Sequence, residues 1–371
     1  MVVDKNSKVS LCVQVRNMLV DCIRRGELPP GRRIPGERML ADSYGVSRGT
    51  AVEALKLLEN DGYVERISTR GTFISQEAGA RTSALKILYP FPEKSMSPQY
   101  LNYANYCAGS ELYQGMLQGT LDFNMQITFQ YFEDSADRNA AMKQIKSIRN
   151  FDGIVFTSHQ LSLMRELVTE EGIPHVMVGT HNQEKGTPFI SYKRLEGIKK
   201  TAQYVIKNGY RSVGLLRAYS DLPENREKID LFTSVLLAGG VKIDKIWIFH
   251  LEDDKELAYK KLKNEMPHPK DGMPEIFFCE SVSHPFAFFR FASECGLKIG
   301  SDVDVISHGG DTSFRGIMPS LTYLRIPYFE MGVAACRVLN ERICGSASAG
   351  KNVLLPAEII EGESTRKRSL K

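Results

Sequence analysis

The sequence predicts an α/β protein made of two parallel-sheet lobes and a small helix-turn-helix head that carries a β wing. Three observations predict it. From Leu85 onward, short β-rich runs alternate with amphipathic stretches over about 270 residues, a pattern that calls for parallel sheets with helices on both faces. That span is too long for one sheet and implies two lobes. Residues 1–76 lack the alternation and read as three helices followed by a hairpin.

In the head, Leu11, Val15, Met18, Leu19, Cys22 and Ile23 recur at helical spacing until Gly26 stops the helix. Pro29-Pro30-Gly31 is a turn. Glu37 to Tyr44 form a second short helix closed by Gly45, and Ser47 caps a third whose apolar stripe is Ala51, Ala54, Leu55 and Leu58. Tyr63–Ile67 and Thr72–Ser75 are strand-like and are joined by Ser68-Thr69-Arg70-Gly71. The domains expected are therefore a head at 1–76, a small polar linker at 77–84 and a two-lobed body at 85–371.

In the body, strands are expected at Leu85–Tyr89, Gln126–Phe132, Gly153–Thr157, His175–Val178, Ser212–Leu216, Ile246–Phe249, Glu275–Cys279 and Val303–Ser307. Helices are expected at Glu111–Phe123, Ala136–Arg149, Leu195–Lys207, Glu224–Leu237, Pro285–Cys295 and Tyr328–Cys344. Trp247 reads as a core residue in a strand. Glu252-Asp253-Asp254 reads as a solvated helix start, and His181 and His268 as surface loop residues.

Composition removes whole classes. With 42% hydrophobic and 25% charged residues the chain is an ordinary globular protein, and no apolar run reaches the ~18–20 residues of a membrane span. The charged amino terminus is no signal peptide. Seven cysteines without a Cys-x-x-Cys pair point to reduced thiols in the cytoplasm. The histidines have no metal spacing, and no Ser or Cys sits in a nucleophile elbow, so no metal, cofactor or catalytic residue is expected. Gly345 to Asn352 nearly matches a phosphate-binding loop but ends in Asn352 and lies between a helix and a following strand, the reverse of the required order.

The net charge is +4, and residues 1–76 hold twelve Lys/Arg against nine Asp/Glu. A basic head on a neutral body fits a nucleic-acid module attached to a sensor. Gly45-Val46-Ser47 sets the third helix across the second and presents Ser47, Arg48, Gly49 and Thr50 at its amino end. There the free N–H groups and dipole face phosphate, and Arg can fork onto guanine in the major groove. Arg66, Arg70 and Gly71 give the hairpin a cationic tip of minor-groove size. The other reading of the same pattern is a small helical protein–protein module with scattered arginines.

These residues resemble a known family. Leu28-x-Pro30-Gly31-x-Arg33-Ile34-Pro35-x-Glu37-Arg38-x-Leu40-Ala41, Val46-Ser47-Arg48-x-Thr50, Ala54-Leu55, Leu58-Glu59 with Gly62, and Arg70-Gly71-Thr72-Phe73 are similar to the winged-helix domain of GntR-type transcription regulators. The resemblance implies operator binding, with Arg38 and Arg48 as DNA contacts, Thr50 beside them and Gly71 in the wing. Gly36 stands where a Ser cap is usual, Val52 where many members carry a further Arg, and Thr69 where the first wing glycine is usual.

The body resembles the sugar-binding domain of LacI-type regulators and periplasmic binding proteins. The resemblance rests on Phe151-Asp152-Gly153-Ile154-Val155, Gly172-Ile173-Pro174-His175-Val176, Gly209-Tyr210-Arg211-Ser212-Val213, Gly296-Leu297-x-x-Gly300-Ser301-Asp302-Val303 and Pro319-Ser320-Leu321-Thr322. It implies a two-lobed periplasmic-binding-protein-like effector domain behind an N-terminal winged helix-turn-helix domain, the arrangement of arabinose-repressor-type regulators. Ligands of such sheets sit at the carboxyl ends of strands. The candidates there are Phe91, Glu93, His159, His250, Glu280, Ser281, His308 and Asp311, with Arg226 and Lys228 near the position of the family's sugar-clamping arginine. An acidic sugar would suit Arg226 and Lys228.

The expected function is a cytoplasmic, homodimeric repressor of carbohydrate-use genes that binds double-stranded operator DNA and a small sugar or sugar-acid effector. The alternative is a sugar-binding or sugar-processing α/β protein whose head binds another protein. A gel shift with flanking genomic DNA separates them.

Overall fold

The computed structural model of the chain describes residues 3, 10–24, 26–76, 84–92, 103–157, 161–179, 187–219, 223–267, 272–310, 314, 316–344 and 351–366, with the backbone alone at 24, 103–109 and 223–225. The chain divides into two compact units. One comprises Met1–Glu93, Met116–Ile190 and Gly332–Val353, and the other Lys94–Gly115, Ser191–Met331 and Leu354–Lys371. The head clusters with the first sheet, and residues 77–83 of the expected linker lie outside the described residues, as do His181 and His268.

In the head, α1 (Leu11–Arg24), α2 (Glu37–Tyr44) and α3 (Arg48–Asn60) close on Val15, Met18, Leu19, Leu40, Ala54, Leu55 and Leu58. Gly45 makes the turn between α2 and α3 at φ 64°, a left-handed conformation that costs other residues about 1–2 kcal/mol. The Ser47 side chain accepts the Thr50 N–H at 3.1 Å and caps α3, whereas Gly36 gives α2 no side-chain cap. The wing pairs β1 (Val64–Ile67) antiparallel to β2 (Gly71–Ile74), and a bridge from Arg33 to Phe73 extends it.

The first sheet has β3 (Leu85–Pro92), β4 (Met125–Phe132), β5 (Gly153–Phe156), β6 (His175–Val178) and β7 (Phe189–Tyr192) parallel in the order β4-β3-β5-β6-β7. A short β13 (Val353–Leu355) lies beyond β7. Helices α4 (Tyr103–Phe123), α5 (Arg138–Ser147) and α6 (Ser162–Glu170) connect its strands. Leu88, Ile154 and Phe156 of one face pack on Ala141 and Ile145 of α5 and on Met164, Leu167 and Val168 of α6. At Gly153 an added Cβ would lie 2.8 Å from Leu339 on α11 (Tyr328–Ile343), so the other face meets a closely seated helix.

The second sheet places β8 (Val213–Ala218), β9 (Ile248–Leu251), β10 (Ile276–Cys279), β11 (Asp304–His308) and β12 (Thr322–Arg325) parallel in the order β9-β8-β10-β11-β12. An antiparallel β14 (Glu358–Ile360) pairs with β12. Leu215, Phe278 and Ile306 face α7 (Arg194–Lys207) and α8 (Pro223–Ala238), whose Ile198, Ala202, Phe232 and Leu236 close that core. Leu216, Phe277 and Val305 face α9 (Lys255–Glu265) and α10 (His284–Glu294) through Tyr259, Leu262 and Phe288. Strands buried on both faces explain the unbroken apolar runs in the sequence.

Several boundaries differ from the sequence expectation. α6, β7, β12, β13 and β14 were not anticipated, α9 was anticipated only by its acidic start, and α4 begins at Tyr103 rather than Glu111. Trp247 is buried, as expected, but lies in a 3₁₀ turn over Lys245–Trp247 that Asp244 caps, not in a strand. Asp254 accepts from Glu256 and Leu257 N–H and caps α9, which explains the acidic run before it. Among the described residues no helix is long and apolar enough to cross a membrane.

Gly115 offers a test of the packing. A Cβ there would stand 1.9 Å from the Phe329 carbonyl oxygen, a backbone atom that no rotamer change can move. Helix propensity alone would make Gly115→Ala stabilising by about 1 kcal/mol. The contact instead predicts a loss of about 1–3 kcal/mol, read as a lower melting temperature.

Candidate DNA-binding face and effector site

The amino end of α3 and the wing present one exposed cationic face. Arg38, Ser47, Arg48, Gly49, Arg66 and Arg70 are exposed, and Thr50 and Gly71 are half-buried. Arg33, Arg38 and Arg48 line a single shallow concavity with Gly71 and Thr72. Arg48 donates to Glu37 Oε2 through Nε (3.2 Å) and Nη2 (3.1 Å), and Arg66 Nε stands 3.1 Å from Glu59 Oε2. Exposed pairs of this kind contribute only ~0–1 kcal/mol, so phosphate or a base edge can replace the carboxylate at small cost. Gly71, at φ 114°, leaves room for the Arg33 guanidinium, since a Cβ would lie 2.9 Å from its Nε. Arg33 was quoted in the sequence motif but not singled out as a contact. Thr69 at the wing tip sits at φ 67°, where a β-branched residue is an outlier.

The far end of α3 is tied down by a polar chain. Asp61, its C-cap, accepts from Arg16 Nε at 2.8 Å, and Arg16 Nη1 donates to Asn17 Oδ1 at 2.8 Å. Asn17, itself buried, donates from Nδ2 to the carbonyl of Ile343 at 2.5 Å. Ile343 ends α11, so the amide fills one of the acceptors that every helix leaves open at its carboxyl end.

In the second unit the strand order reverses between β8 and β10, and there the predicted residues gather. Glu280, directly after β10, is buried. Its Oε1 lies 3.0 Å from Lys228 Nζ, and its Oε2 accepts the Ala218 N–H at 3.1 Å. Burial pushes the Lys228 ammonium pKa down, and Glu280 opposes that shift. Removing either partner would leave the other charged and dry, a loss of about 3–5 kcal/mol. Arg217 on β8 stands opposite His250 on β9, with its Nε 4.0 Å from Glu280 Oε2. The exposed Tyr219 ring lies 6.0 Å from that of His250, and its hydroxyl accepts from Lys261 at 2.9 Å. Arg226 is exposed on the first turns of α8, and the neighbouring Glu227 holds Arg194 at 2.7 Å.

Other predicted residues are held by partners within the protein or lie outside the described part of the second unit. His308 is buried, with Nε2 bonded to the Tyr192 hydroxyl at 3.0 Å and its ring edge-on to Phe278. Ser281 bonds Asp253, which also accepts from Ser283 at 2.8 Å. Phe91 lies in the first unit, in an aromatic group with Tyr89 (4.8 Å), Phe129 (5.9 Å) and Tyr131 (5.8 Å). Glu93, His159 and Asp311 fall outside the described residues.

Known proteins match both parts. Residues 11–74 match the bacterial regulatory proteins of the gntR family, and residues 202–365 match the periplasmic binding protein-like domain. The chain joins a GntR-family head to a periplasmic-binding-protein-like body. Over 370 residues it is 22% identical to the arabinose metabolism transcriptional repressor of Geobacillus stearothermophilus, covering 95% of this chain and 97% of that one. The HTH-type transcriptional repressor PurR of Actinobacillus pleuropneumoniae is 24% identical over 53% of this chain and 58% of its own. A LacI family regulator from Enterococcus faecium with bound ribose has a TM-score of 0.62 at 18% identity, covering 77% of this chain and all of its own. The CelR–cellobiose complex has a TM-score of 0.59 at 18% identity, covering 89% of this chain and all of that one.

Arg217, Tyr219 and Arg194 of the periplasmic-binding-protein-like body were not found from sequence. The expected strand ended at Leu216, where the apolar run ends, but pairing with β9 continues to Ala218.

Two imidazoles in this body have lowered pKa values. Burial is the first cause for His284, which is fully buried, whereas His250 is exposed and is lowered by partial desolvation and then by Arg217. The unfolded chain takes up these protons near pH ~6.5 while the folded chain resists, so stability falls as the pH drops through that value and levels off below the folded pKa values. The melting temperature is therefore expected to be lower at about pH 5.5 than at about pH 7.5. His284→Asn, which keeps a donor for the Leu216 carbonyl, is expected to flatten the profile.

Proposed function

We propose that the chain is a cytoplasmic transcription regulator, a repressor of carbohydrate-use genes that binds operator DNA and responds to a small sugar-like effector. The observation that carries this reading is the exposed face on which Arg38 and Arg48 share a concavity with the wing at a capped helix amino terminus. The whole-length similarity to an arabinose metabolism repressor supports the gene class, and LacI-type neighbours with bound ribose or cellobiose support a sugar-like effector. Arg48 reads bases and Arg70 meets phosphate or the minor groove. Arg48→Ala should weaken operator binding by ~1–3 kcal/mol and relax specificity at one position. Arg70→Ala should weaken all sequences and lower the salt slope by about 1. Fluorescence anisotropy with the DNA flanking its own gene reads both, and unchanged affinity in both variants overturns the reading.

One head covers too little DNA for operator affinity, so we assign a two-fold dimer. Support comes from the first unit, where Leu117 and Leu121 on α4 and Phe129 and Tyr131 on the edge strand β4 are exposed. The outer side of α5 instead carries Arg138 bonded to Glu166 and Glu170, so we give the contact to α4 and β4. Leu121 is the most exposed of the four, at 78%. Leu121→Glu should give a monomer in light scattering and lose tight operator binding. A dimer of unchanged affinity would move the interface elsewhere. Effector binding then weakens the operator complex, and the operator weakens the effector by the same factor.

A further inference from the structure

This inference deepens the effector reading above and rests on it. We infer that the effector is an anionic sugar, one bearing a phosphate or carboxylate group, and that Arg217 is the residue that selects it.

Glu280 stands at the point where β8 and β10 diverge, and each of its oxygens already has a partner, Lys228 on one and the Ala218 N–H on the other. Buried and already paired on both oxygens, it is poorly placed to clasp a pair of sugar hydroxyls. Ser281, beside it, is taken by Asp253.

A donor is at hand. The Arg217 side chain is about a quarter exposed, and its Nε stands 4.0 Å from Glu280 Oε2, beyond hydrogen-bond reach. That Nε is buried with no hydrogen-bond partner among the described residues. A buried donor left open costs about 1–3 kcal/mol, and a ligand oxyanion can supply the missing acceptor. A guanidinium fork matches carboxylate and phosphate geometry.

The local charge points the same way. Among the described residues, Arg194, Arg217, Arg226 and Lys228 stand at this edge with Glu227, Glu280 and Asp253, four cations with three carboxylates. Desolvation is the main cause that lowers the pKa of His250, and Arg217 adds to it. Beside Arg217, the half-exposed Tyr219 ring offers an apolar face on which a sugar ring can lie.

The test uses the full-length protein without DNA, so its failure leaves operator binding untouched. Calorimetry and thermal shift compare glucose with glucose 6-phosphate, galactose with galacturonate, and inorganic phosphate alone. The wild type should bind the charged member of at least one pair more tightly than the neutral one, more weakly as salt rises, and inorganic phosphate should raise the melting temperature. Arg217→Gln should weaken the charged ligand by about tenfold or more and abolish the phosphate effect, while Arg217→Lys should keep part of both. Preference for glucose 6-phosphate assigns a phosphate and preference for galacturonate a carboxylate. Neutral sugars binding as tightly as their charged partners would overturn the inference. So would charged ligands indifferent to Arg217→Gln, or no response to any of the anions at millimolar concentration.

Discussion

A carboxylate taken out of water has to be met by charge and by N–H groups, and the carboxyl edge of the second sheet is organised around that demand at Glu280. The Ala218 N–H ties it to the end of β8, and Lys228 reaches it from α8. An ammonium with its four-carbon stem can reach a buried oxygen as a compact point charge, whereas a guanidinium would need more room. Because Lys228 must point inward, its neighbours on the same turn, Arg226 and Glu227, are left on the outer side. Glu227 then takes up Arg194 of α7. One buried charge thus orders β8, β10, α7 and α8 at the place where the strand order opens a crevice.

The head follows the opposite rule. The ion pairs of its exposed cationic face, Arg48–Glu37 and Arg66–Glu59, are partly in water and hold their arginines loosely. Loose pairing suits a surface whose partner is a polyanion, because the carboxylates keep the arginines oriented in free solution and yield when phosphate arrives. Stability there comes from the apolar cluster beneath and from the Ser47 cap rather than from the charges.

How much could be read from sequence divides along the same line. Gly26, Gly45 and Ser47 were legible because positive φ and helix capping are local demands that only a few residue types satisfy. The strand His175–Val178 was legible because a short apolar run bounded by Pro174 and Gly179 has few other uses. Of α9 only the acidic start was legible, because Lys255–Glu265 turns only Ala258, Tyr259 and Leu262 inward and is otherwise almost wholly charged or polar. His308 shows the limit for sites. Its place at a strand end was foreseen, but strand ends do not say which face a side chain takes, and this ring turned toward Tyr192 and Phe278. Arg217 was passed over for the converse reason: polar residues that end a strand look like the beginning of a loop.

Asn17 makes the head less portable than its boundaries imply. Winged-helix heads combine in nature with many kinds of body, and a graft is ordinarily judged by the length of the join. Here a side chain of α1 completes the last turn of a helix more than three hundred residues away in the chain. A head transplanted elsewhere would lose the acceptor of the Asn17 amide, and the body left behind would lose the donor that fills the Ile343 carbonyl. Any successful exchange of specificity in this scaffold must move the two residues together, or replace the recognition helix and leave α1 in place.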